Sequence, residues 1–139
     1  MTPSAHARLG WWMLAIFAGA GLVLESLIGL RTPWLLDVGM ETRRVMFRLA
    51  HAHGALLGLV HVAFAASWHS GLLAAVEPEG LRWPSRLLTF GSVCVPLGFA
   101  LGGAWFVEAD PGLGVLLVPI GALAVVAALI SIARACARP

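Results

Sequence analysis

Four runs in this chain stay apolar long enough to cross a bilayer: Gly10 to Leu30, Phe47 to Val76, Leu87 to Val107 and Leu113 to Ile132. At 1.5 Å per residue, a helix needs about 20 residues to span ~30 Å of hydrocarbon, and each run reaches that length. Composition agrees. The chain is 12% charged and 60% hydrophobic, whereas soluble domains carry about 25% charged and under 50% apolar residues. The expected fold is all-α, a four-helix antiparallel transmembrane bundle forming one domain over residues 1–139.

The connectors carry most of the charge. EADPG, between the third and fourth runs, reads as a tight turn, so these two helices form a hairpin. Pro96 and Pro119 are expected to bend them, which neighbouring helices tolerate. The connector after the first run, PWLLDVGMETRRVMFRL, spaces Asp37, Glu41, Arg44 and Arg48 helically. It reads either as a short interfacial helix with Trp34 at headgroup level or as an early start of the second span near Thr42. The N-terminal run is too long for a signal-peptide core and reads as a first span beginning at Gly10, which leaves His6 outside it. Cys94 and Cys136 fall too far apart in this arrangement for a disulfide.

Every basic residue is Arg, Lys is absent, and Ala, Gly, Leu and Val abound, the signature of a GC-rich genome. The expected location is a bacterial inner membrane. Five Arg (8, 82, 86, 134, 138) lie with the termini and the second connector, against four (31, 43, 44, 48) at the first connector, which favours cytoplasmic termini. A formal charge of +2 without charge blocks gives no reason to expect nucleic acid. The expected partners are the lipid bilayer itself and a homodimer or larger membrane complex.

The second run holds His51, His53, His61 and His69, and ionisable groups at membrane depth are functional candidates. Small residues mark the faces on which membrane helices approach one another. On the second span Ala50, Gly54, Gly58 and Ala65 make such a stripe, with His51, His61 and His69 on or beside it. On the first span Ala15, Ala18, Gly19, Leu22, Glu25, Ser26 and Gly29 share a face, which places Glu25 toward protein. Up-down pairing sets Glu25 level with about Ala52, facing His51. One end of the bundle is thereby expected to gather a polar cluster of Glu25, Arg48, His51, Glu108 and Asp110.

Several chemistries are open for these residues. A Glu25–His51 or Glu25–Arg48 contact would fix the register of two helices and do nothing more, as in a structural or assembly protein. A transition-metal site would use Glu25, His51 and His53, since imidazole and carboxylate are ordinary ligands. The two histidines are about 200° apart on a helix, however, so both reach one ion only if the helix is frayed. For haem, His61 is the ligand to test, with Met13 level with it on the first helix or a second chain supplying another histidine. A bis-histidine pair within one chain is not expected with His6 outside the first span. A proton or small-solute path would run along Glu25, His51, His61 and His69.

The run LAHAHGALLGLVHVAFA, residues 49 to 65, resembles histidine-bearing helices of membrane subunits in the haem-copper oxidase and nitric-oxide reductase superfamily, and helices of small bacterial membrane proteins. The resemblance covers one helix, about an eighth of the chain. It implies haem or copper at His51, His53 or His61. Those catalytic subunits are much larger and spread their ligands over several helices, so the implied role here is an accessory piece or one-site relative, not an enzyme on its own.

Overall fold

A computed structural model describes residues 1–37, 39–73, 76–107 and 110–136. Among these residues five α-helices follow in order: α1 (Pro3–Gly29), α2 (Pro33–Leu36), α3 (Glu41–His69), α4 (Arg82–Ala104) and α5 (Leu117–Cys136), the last preceded by a 3₁₀ turn at Leu113–Leu116. Four segments are long and apolar enough to span a membrane: α1, α3, α4 and the stretch Leu113–Cys136. The chain is a small multi-pass membrane protein built as an all-α bundle. Among the described residues there is no strand, only an isolated bridge between Val107 and Asp110.

α1, α3 and α4 start earlier than hydropathy alone suggests, and at α1 the local chemistry explains why. Thr2 is the N-cap of α1, its hydroxyl accepting from the Ala5 N–H at 3.2 Å, with Pro3 at the first helical position. Pro is preorganised there and lacks a donor that would go unpaired anyway. The span therefore begins seven residues before Gly10 and takes His6 into the helix. It ends in a Schellman-type turn: the Arg31 N–H bonds the Ile28 carbonyl and the Thr32 N–H bonds the Leu27 carbonyl. Arg31 holds φ 53° there, a conformation glycine would adopt more cheaply.

The connector resolves into parts of both expected forms. Pro33–Leu36 makes a single turn that buries Leu35, and α3 then begins at Glu41. The second span ends at His69 rather than running to Val76. Pro96 lies inside α4, whereas Pro119 is the third residue of α5. In that first turn its missing N–H interrupts no helical bond, so it marks a start and not a bend.

Packing follows glycine, but with unequal partners. Gly10 of α1 and Gly58 of α3 face each other so closely that a Cβ on either would meet the other's carbonyl oxygen. Elsewhere a glycine receives a ring: Phe17 of α1 fills the space over Gly54, and His51 of α3 fills the space over Gly21. On α4 and α5, Gly91, Gly98 and Gly121 admit Val125, Val118 and Cys94 in the same way. Both thiols are free, Cys94 buried and Cys136 exposed. Two apolar clusters complete the interior, one around Phe64, Leu81, Leu88 and Ala128, the other around Met13, Leu57 and Val95.

The α3 stripe is buried as expected, with Ala50, Gly54, Gly58 and Ala65 all inside. The α1 stripe is not. Ala15, Ala18, Leu22, Glu25, Ser26 and Gly29 are exposed, and a Cβ at Gly19 or Gly29 would meet nothing within 4 Å. The face that packs is His6, Gly10, Met13, Phe17 and Gly21. It won because α3 already supplies glycines, so large side chains on α1 fill its hollows and gain more contact than small ones would.

Candidate functional site

Among the described residues the most enclosed polar ones are His6, His61, Ser85 and Ser92, none more than 2% exposed. They come from α1, α3 and α4 and form one chain. His6 Nδ1 and His61 Nδ1 are 2.7 Å apart, His6 Nε2 and Ser85 Oγ 2.7 Å, and His61 Nε2 and Ser92 Oγ 3.0 Å. The ring centroids are 4.9 Å apart with planes 22° from parallel. That separation is what a nitrogen-to-nitrogen bridge requires, so the imidazoles meet edge to edge rather than face to face. Phe64 packs edge-on against His6, sealing the pair from the apolar side.

The direction of each bond follows from the hydroxyls. The Ser92 O–H donates to the Leu88 carbonyl one turn back at 2.7 Å. His61 must then donate to Ser92 through Nε2–H, which leaves its Nδ1 as acceptor. His6 donates to that atom through Nδ1–H, and its own Nε2 accepts from the Ser85 O–H. The Met1 nitrogen in turn donates to Ser85 Oγ at 3.2 Å. Every link points the same way, and both tautomers are fixed by their neighbours. Among the described residues no buried side-chain nitrogen or oxygen lacks a partner.

His6 was expected outside the first span, and this is the main correction. The Thr2–Pro3 cap could have revealed it, since a helix starting at Pro3 puts His6 one turn before Gly10 on the same face. Ser85 and Ser92, seven residues apart on α4, also share a face.

The other end of the bundle differs. Glu25, Arg48 and His51 line one open groove of about 750 Å³ between α1 and α3, with Ala18, Gly21 and Ala52 among its apolar walls. Glu25 shares this groove with Ala52, yet it is exposed and, among the described residues, makes no ion pair with Arg48 or His51. His51 donates instead from Nδ1 to the Phe17 carbonyl. His53 donates to Leu49 O at 2.9 Å and lies against Phe99 of α4, so the two histidines diverge along an unbroken helix. Asp110 is exposed in the Val107 bridge, and Glu108 lies outside the described residues. Nearby, Arg43 pins the connector: its guanidinium lies over Trp34 and Phe106 and donates to the carbonyls of Gly103 and Trp34 at 3.3 Å.

Among the described residues no three His, Cys, Asp or Glu side chains group to hold a metal ion. Met13 packs with Leu57 and Val95. Both nitrogens of His61 are engaged, by His6 and Ser92, so neither is free for haem iron opposite Met13, and the direct His6–His61 bond leaves no gap for a porphyrin. Haem does not fit this arrangement. No protein-family model matches the chain, and no curated protein or solved structure does either.

Proposed function

We propose that this is a structural or assembly membrane protein in which the His6–His61 bond, anchored by Ser85 and Ser92, clamps α1 to α3 and α4. The observation that carries the reading is saturation: each ring nitrogen of the pair is spent on a partner inside the cluster. A network complete in itself rigidifies and specifies a packing. α1 needs such a device, because only His6, Gly10 and Met13 of its 27 residues are buried. The likeness of residues 49 to 65 to oxidase and reductase helices suits an accessory element of a larger membrane complex. The Arg distribution suits termini on the cytoplasmic side of a bacterial inner membrane.

A second reading rests on the two Nδ1 atoms that face each other across one shared proton. A copper or zinc ion replacing that proton would need metal–nitrogen bonds of about 2.0 Å on each side, so the rings would have to draw apart by roughly 1 Å. A proton path fits less well, since the hydrogen-bonded chain ends on the Leu88 carbonyl. The test is the detergent-purified full chain, incubated with Cu(I) or Zn(II), desalted and assayed for metal, alongside the thermal stability of His6→Ala and His61→Ala. Substoichiometric metal with a lower melting temperature in both variants is the expected result. One metal per chain, lost in either variant, would replace the structural reading with the metal one.

A further inference from the structure

The groove at the open end carries an inference independent of the histidine clasp. Its walls hold one carboxylate, Glu25, and one guanidinium, Arg48, over a floor of Ala18, Gly21, Leu22, Leu24, Leu49 and Ala52. Both charges are exposed, and among the described residues neither is ion-paired. Glu25 lies four residues before the end of α1 and Arg48 seven residues into α3. At 1.5 Å per residue that is roughly 6 and 10 Å from the helix ends. A 27-residue helix measures about 40 Å, the thickness of a bilayer with its headgroup regions, so both groups fall near the boundary between headgroups and hydrocarbon.

We infer that this groove binds phosphatidylethanolamine, with the phosphate on Arg48, the primary ammonium on Glu25 and an acyl chain along the apolar floor. The charges select this headgroup over its rivals. A primary ammonium carries three donors for a carboxylate, and guanidinium suits phosphate. The quaternary ammonium of phosphatidylcholine has no donor and is held best by aromatic rings. The one ring lining this groove is the His51 imidazole, and no Trp, Tyr or Phe lines it to form such a cage. Phosphatidylglycerol offers Arg48 the same phosphate but gives Glu25 no cation.

The experiment is native mass spectrometry of the full chain titrated in turn with phosphatidylethanolamine, phosphatidylcholine and phosphatidylglycerol of identical acyl chains. The wild type should retain phosphatidylethanolamine about tenfold better than the other two, the scale of one charge-assisted hydrogen bond. Glu25→Gln should level phosphatidylethanolamine with phosphatidylcholine, and Arg48→Gln should weaken all three. Both side chains are exposed, so unchanged melting temperatures will show that the variants fold. Equal retention of the three lipids by the wild type, or a preference that survives Glu25→Gln, overturns the assignment. So does displacement of the phospholipid at equal concentration by an isoprenoid quinone, which would mark the groove as a quinone site.

Discussion

The two ends of the bundle use the same side chain for opposite purposes. At the clasp end, His61 is sealed among three helices and both its nitrogens are committed. At the groove end, His51 commits Nδ1 to a backbone carbonyl, rests on Gly21 and leaves one edge of its ring on an open cavity. Burial and saturation go together at one end, accessibility and unspent charge at the other. Histidine count along a helix therefore says little about function until the partners of each nitrogen are known.

Substitutions at the two ends should separate sharply. His61→Ala removes the acceptor for His6 and opens a cavity, so it should cost about 3 kcal/mol, read as the largest fall in melting temperature of any single change named here. His51→Ala should cost less than half of that; equal losses would erase the contrast. Next, Gly10→Val drives a side chain into the α3 backbone and should cost about 2 kcal/mol, whereas Gly19→Ala on the outward face of the same helix should stay within about 0.5 kcal/mol. Thermal unfolding of both in one detergent checks the packing face of α1 directly.

A double-mutant cycle on His6 and His61 should return a coupling of about 1 kcal/mol, because intramembrane hydrogen bonds are modest even when dry. A coupling near zero would mean that the pair only fills space. Smallest is Arg31→Gly, which should raise stability by about 0.5 kcal/mol by relieving the left-handed backbone at the end of α1. A loss there would show that the Arg31 side chain contributes more than the strain removes.

The architecture was legible because membrane thickness dictates run length, and four runs could be counted without knowing any contact. The small-residue stripe of α3 was legible for a similar reason: close approach needs small residues on at least one partner. The face of α1 was misread because the same rule was applied to both partners, while Phe17 and Met13 fit the hollows that Gly54 and Gly58 leave. His61 was legible as an ionisable group beside the small-residue stripe of the second span. Its partner was not, because hydropathy places a span by its greasiest residues and ignores the Thr2–Pro3 cap that extends α1 to include His6. Ser85 and Ser92 were invisible for lack of a register between α3 and α4, which only the folded chain supplies.

The clasp also constrains the order of events during biogenesis. His6 and its hydroxyl partner Ser85 are separated by 79 positions in the chain, which a ribosome adding about 5–20 residues per second needs roughly 4–16 s to cover. Over that interval His6 Nε2 has no Ser85 hydroxyl to accept from, although His61, 55 positions on, is already made. The clasp can therefore close in full only once α4, which carries Ser85, has been made.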